Sequence, residues 1–288
     1  MANCIAAHIC PNLAALAGQG VTYTDAYTTR PSDSFPGTIG ELTGGRPRTT
    51  GVYYDDTFDR SLFPPSSDCK GPPGSEVRLT GHLDRDSSRL DGGSPAGLDG
   101  DSAAAVDTAR LPEIQIGSQC RPLWPHDYLR VNTAFGVLHS SGLRTAWIDK
   151  HPAFETLNGP GAPAGGPGHN IDDFFAPEID AALNGENLGK TAASASDVAQ
   201  LSNARRSFAG SIAAVQLYDE LKVRAILEEI DGRDHAGGHR LGTPALFGMN
   251  FQSVNVAQKS PAGAYRDTRA TPRGALLGAI EHVDGSIE

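Results

Sequence analysis

The 288-residue chain reads as an α/β protein with a doubly wound, largely parallel sheet flanked by helices. Three observations predict it. Strand-like and helix-like segments alternate along the chain, successive strands are separated by crossover-length connections, and 34 glycines and 20 prolines reserve much of the sequence for turns. A 39% hydrophobic content supplies a sizeable core, and residues 1–288 are read as a single domain.

The elements follow in order. Pro11 to Gly18 has leucines three apart and ends on glycine, which predicts a short helix with a left-handed cap. Val21 to Tyr27 alternates as a strand does. Next comes TTRPSDSFPGTIGELTGG, in which Ser34 stands at or beside a helix cap and Pro36 in the first turn, where its missing N–H costs nothing. From about Tyr54 to Pro125 the pattern dissolves into polar, Gly/Asp/Ser-rich text, read as a loop-rich excursion from the core. Its aspartates do not match the EF-hand spacing in glycine position or terminal glutamate, so it is read as solvated loop rather than calcium site.

Tyr128 to Ser141 predicts a helix stopped by Gly142, and Leu143 to Ile148 a buried strand that delivers Asp149, Lys150 and His151 at its end. Ligands gather at strand carboxyl ends in open α/β sheets. Asn158 to Gly168 is an irregular loop. Asp172 to Leu183 predicts a helix with acidic residues at its start, Ser207 to Ile230 a longer amphipathic helix, Thr243 to Phe251 a central strand, and Thr271 to Ile287 a final helix.

The formal net charge of -10 and the lack of any Lys/Arg run argue against a nucleic-acid track. No apolar stretch reaches the roughly 20 residues that cross a bilayer, and the opening MANCIAAHICPNL lacks the basic region of an export signal. The four cysteines have no CxxC spacing, which argues against zinc or redox use. Cys69 and Cys120 bracket the polar excursion and are expected to be bridged; Cys4 and Cys10 are expected to be free thiols.

The run PNLAALAGQGVTYTDAYTTRPSDSFPGTIGELTGGRPRTTGV resembles the nucleophile segment of the alkaline phosphatase superfamily, in its nucleotide pyrophosphatase and type I phosphodiesterase branch. In that branch a hydroxyl residue precedes Phe-Pro, a position held here by Ser34. AWIDKHPAFETLNGPG, YDELKVRAILEEIDG and FGMNFQSVNVAQK look like bacterial proteins of the alkaline phosphatase family. The resemblance implies hydrolysis of a small-molecule phosphate ester through a covalent seryl intermediate, on an alkaline phosphatase-like fold. It also implies two metal ions, usually zinc, and the proteins resembled are often exported. A hydroxyl at a helix N-terminus suits that chemistry, because free N–H groups and the helix dipole stabilise an anionic phosphate.

The resemblance places the superfamily's first metal-binding aspartate before this chain's first residue and its Asp-His pair and final histidine beyond Glu288. Gln252 to Gln258 carries amides and hydroxyls where two-metal phosphodiesterases carry an Asp and a His. The chain therefore reads as a truncated version of the fold, and no metal site is assigned. His235 and His239, beside Asp231 and Asp234, are read as a solvated turn. The catalytic candidates are Ser34, Lys150 and His151, with Asn250 and Phe35 as substrate-binding candidates. Asp33 beside Ser34 repels anions and tilts the substrate toward neutral or weakly charged esters. The alternative is an inactive binding or dimerising module, and a homodimer is expected in either case because missing strands leave sheet edges open.

Overall fold

The computed structural model describes residues 2–161, 166–184, 212–260, 263–268 and 270–288. The first half carries helices α1 (Ala2–Ala6), α2 (Pro11–Gln19), α3 (Ser34–Thr43) and α4 (Pro47–Thr50). Two antiparallel pairs follow: β1 (Asp56–Asp59) with β2 (Ser75–Arg78), and β3 (Glu113–Ile116) with β4 (Gln119–Pro122). Then come α5 (Ala134–Ser140), β5 (Thr145–Ile148), β6 (Asp173–Phe175), α6 (Ile179–Asn184), α7 (Ile212–Ile230) and β7 (Leu246–Met249). The chain continues with α8 (Ser253–Lys259), β8 (Gly263–Tyr265), β9 (Pro272–Arg273) and α9 (Gly274–Gly285).

Strands β6, β5 and β7 form a parallel sheet in that order, Trp147 opposite Phe174 and Ile148 opposite Phe175. Successive side chains on a strand point to opposite faces. Trp147 and Phe174 accordingly join one buried cluster, with Phe35 and Ile39 of α3 and Phe135 of α5, while Ile148 and Phe175 join another, with Tyr218, Leu221 and Ala225 of α7. Helices thus cover both faces, and the protein is mixed α/β. The parallel sheet has three strands among the described residues; the other pairings are short antiparallel ones.

Several expectations change. Val21 to Tyr27 forms no strand: Val21, Tyr23 and Tyr27 are exposed, and no described strand lies beside them to take up their backbone hydrogen bonds. The segment expected as a helix from Asp172 divides into β6, whose buried residues pair with β5, and α6. Pro177 between them lacks the N–H that a continuous helix would use. The helix expected from Ser207 begins, in the described part, at Ile212; residues 207–211 lie outside it. Helix α2 ends on Gln19 with Gly20 extended rather than left-handed, whereas Gly142 closes α5 at φ 73° as expected.

Residues 54–125 are not an excursion from the core. Leu62, Val77, Leu79, Leu83, Leu111 and Trp124 pack in the same cluster as Phe35. The apolar residues of that segment follow no regular period that would announce them, yet these six are buried by the turns around them, while Phe58 and Ile116 stay exposed. Cys69 and Cys120 are bridged, as expected; Cys4 and Cys10 are bridged too, against expectation, because the turn after α1 brings their Cα atoms to 5.6 Å. The Cys69–Cys120 bond has a sequence separation of 51. In the chain-entropy account, replacing both cysteines by alanine is expected to cost about 4 kcal/mol, read as a lower midpoint in guanidinium denaturation.

At the far end, the Asp284 carboxylate accepts from the backbone N–H groups of Asn12 and Leu13 at 3.1 and 2.9 Å, which docks the N-terminus of α2 on α9. No helix of the described residues is long and apolar enough to cross a membrane.

Candidate functional site

Helix α3 starts at a doubly acidic cap. Asp33, in extended conformation, accepts from the Ser34 N–H at 3.0 Å, and Asp55 accepts from the Phe35 N–H at 2.8 Å. Pro36 has no N–H. The first-turn amides expected to be free for an anion are therefore already held by two carboxylates. Burial raises the Asp55 carboxyl above the usual aspartate range; the Phe35 N–H opposes the shift, and the neighbouring Asp33 charge adds to it.

Strand β5 then places its end against this helix. Lys150 Nζ donates to Ser34 Oγ at 2.9 Å, across 116 residues of sequence. Lys150 is 8% exposed and His151 7%, so both residues are buried. Asp149 is fully buried beneath them: its carboxylate accepts from Trp147 Nε1 and the Lys150 N–H, each at 2.8 Å, and from the Asn250 side-chain amide. His151 Nδ1 faces both Glu178 oxygens at 2.8 and 2.9 Å. With Glu178 ionised, Nδ1 carries the proton and Nε2 is the basic nitrogen.

The structure thus brings Ser34 to Lys150 directly and sets His151 next in chain. Asn250 is committed elsewhere: its amide donates to Asp149, and its carbonyl oxygen accepts from Lys222 Nζ at 2.9 Å and Gln252 Nε2 at 3.1 Å. Phe35 is 0% exposed with its ring stacked on Phe154 at 3.9 Å, so the side chain packs the core beneath Ser34 and meets no solvent. Burying such a ring contributes about 2–3 kcal/mol and anchors the helix that carries Ser34.

Three participants escaped the sequence reading. Glu178 looked like an acid at a helix start; Asp55 lay in text read as excursion; Lys222 sat inside an amphipathic helix. Lys222 is fully buried with its ammonium against Asp219 at 3.3 Å, and burial pushes it down to about 8 despite the Asp219 and Asp149 charges. A charge one or two residues past a predicted strand, as with Asp149 and Lys150, is legible from sequence. A partner arriving from another helix is not.

His235 is not part of a solvated turn. Its ring stacks on Phe175 at 4.7 Å and its Nδ1 faces Asp173, while His239 bonds only through its backbone to Asp234. A groove of about 770 Å³ runs along α3 from Gly37 to Gly44 and is walled by Ala26 to Arg30. It opens one turn past Ser34.

The residues around Ser34 do not fit the pair of zinc ions that the resemblance implies. A divalent ion on Oγ would face the Lys150 ammonium at hydrogen-bond distance. Among the described residues, the single grouping of three ligand atoms within 4.8 Å is Cys69, Glu113 and Cys120, and its two sulfurs are joined to each other.

Fold and site together define an α/β protein that presents a serine hydroxyl, paired with a lysine, at the first turn of a helix. Residues 2–84 match the family model described as type I phosphodiesterase / nucleotide pyrophosphatase, the branch that the residues around Ser34 resemble. The match contains Asp33, Ser34, Asp55 and Asp84 and stops before Lys150. It supports phosphate ester hydrolysis in general. No curated protein and no solved structure matches the chain.

Proposed function

We propose that this protein hydrolyses phosphate esters with Ser34 as nucleophile, on an alkaline phosphatase-like fold, without a step routed through a metal ion. The observation that carries this reading is the 2.9 Å hydrogen bond from Lys150 to Ser34 Oγ. An ammonium at that distance stabilises the alkoxide as it forms and the non-bridging oxygens of the phosphoryl group as charge builds on them.

In the proposed sequence, Ser34 Oγ forms a bond to phosphorus while its proton passes to His151 Nε2. The imidazolium, held by Glu178, returns that proton to the departing ester oxygen as the P–O bond breaks. Water then attacks the phosphoseryl intermediate by the same route and frees Ser34. Asp33 and Asp55 hold the two first-turn amides, so a dianionic monoester would meet two carboxylates. A diester, with one charge, or a neutral triester is the favoured substrate class.

The test is hydrolysis of p-nitrophenyl diester, monoester, triester and carboxyl ester, with and without a chelator. Diester or triester turnover that survives chelation is the expected result. Turnover abolished by the chelator would overturn the metal-free route, and preference for the monoester would overturn the assignment of substrate.

A second reading, a dimerising module without turnover, has one observation in its favour: the outer edges of β6 and β7 carry no strand partner among the described residues. It predicts a dimer in sedimentation equilibrium together with background rates on every ester.

A further inference from the structure

Behind His151 lies a carboxyl group with no obvious reason to be buried. Asp84 is 0% exposed, and neither of its carboxylate oxygens has a hydrogen-bond donor. It follows the short turn Gly81–Leu83 and is fixed by backbone bonds on either side, Arg85 N–H to Ala105 O at 2.9 Å and Asp107 N–H to Leu83 O at 2.8 Å. Its side chain lies within hydrogen-bonding reach of Glu178, the residue that holds His151.

Glu178 is equally buried and cannot turn away. Its N–H donates to Leu90 O at 2.8 Å, and its carboxylate also accepts from the Asp180 N–H at 2.9 Å. Glycines admit both acids: a Cβ at Gly92 would stand 2.9 Å from Asp84 Oδ2, and one at Gly81 3.0 Å from Glu178 Oε1 and Asp180 Oδ2. The charged groups facing Asp84 are Glu178 and Asp180, with Arg110 opposing them; Lys150 and His151 act on Asp180 from the site side.

Two carboxylates are both acceptors, so no bond joins them as anions, and two such charges in a dry site repel strongly. We propose that Asp84 is a positioning residue for His151: its carboxyl group holds a proton shared with Glu178, so that Glu178 remains anionic toward His151 Nδ1–H and leaves Nε2 basic. This rests on the reading of His151 as the proton-transfer group. Burial and the Glu178 charge both push the Asp84 carboxyl well above the usual aspartate range, in keeping with a retained proton.

The sign of the pH effect follows. Unfolded, Asp84 ionises near the ordinary carboxylate value; folded, it keeps its proton to higher pH. The native state then binds more protons, and stability is lost as pH rises through that window. Asp84→Asn keeps a donor toward Glu178 and removes the loss. It is expected to melt about 3 °C or more above wild type at pH 8, with the difference vanishing near pH 4.

Asp84→Leu is expected to lower kcat/KM about tenfold and to shift the acidic limb of its pH profile, with Asp84→Asn recovering most of the loss. An Asn variant that melts at or below wild type at every pH would overturn the shared proton. So would a rise in wild-type melting temperature with calcium or magnesium that Asn abolishes, since a cation would then hold the pair. An unchanged kcat/KM in the Leu variant would overturn the positioning role. The melting data do not depend on turnover, so they separate this proposal from the proposed function: a protein inactive on every ester but with the predicted pH-dependent melting loses only the latter.

Discussion

Ser34→Ala is expected to reduce phosphodiester turnover by roughly 10³-fold or more, to a rate indistinguishable from the reaction without protein. The hydroxyl is the atom that would form the covalent bond, and no neighbour can replace it: Asp33 and Asp55 are engaged with backbone amides, and Thr38 donates its own hydroxyl to Ser34 O at 3.0 Å. The substitution is not expected to disturb the fold, because Asp33 rather than Ser34 supplies the side-chain cap of α3. Unchanged melting with lost turnover is therefore the signature to look for. Trapping of phosphate on wild type but not on the alanine variant, seen as a mass increment after acid quench, checks the covalent step. A variant as active as wild type would remove Ser34 from the mechanism.

The second large effect belongs to Lys150. Lys150→Met keeps the length and buried stem of the side chain and removes its charge, and kcat/KM is expected to fall roughly 10²–10³-fold, as for loss of one preorganised donor to a developing anion. The fall should lie chiefly in kcat, because the charge acts on the alkoxide and the transition-state oxygens more than on the resting ester. Removing the ammonium also leaves the buried Asp149 with one compensating charge fewer, so Lys150→Gln is a needed companion and melting curves of both variants should be compared. Equal kcat for wild type and a folded Met or Gln variant would show that the bond to Ser34 Oγ is structural only.

The segment around Ser34 was largely legible in sequence. A cap residue, a serine, Phe-Pro-Gly and a closing Leu-Thr-Gly are local signals, and local hydrogen bonds realise them: Gly44 ends α3 at φ 66° with its N–H on Gly40 O. Strand β5 was legible for the same reason, a short apolar run followed by charges. What failed was non-local. Val21 to Tyr27 has strand alternation, but alternation names only a face, and a strand also needs a partner. Asp173 to Phe175 was assigned to a helix because its acidic start suits one, yet parallel pairing with β5 decides its conformation. The bond between Cys4 and Cys10 depends on a turn that no spacing rule predicts.

By itself the sequence determined the chemistry on offer: a serine at a helix start, a lysine and histidine at a strand end, a mixed α/β layout, and the likeness to type I phosphodiesterases now carried by residues 2–84. Only the tertiary structure decided who faces whom. It set Lys150 on Ser34, closed the first-turn amides with Asp33 and Asp55, stacked Phe35 into the core, and put Glu178 and Asp84 behind His151. The reason is physical: caps and turns are settled by bonds within a few residues, whereas the protonation and aim of a buried group depend on charges brought to it from distant parts of the chain.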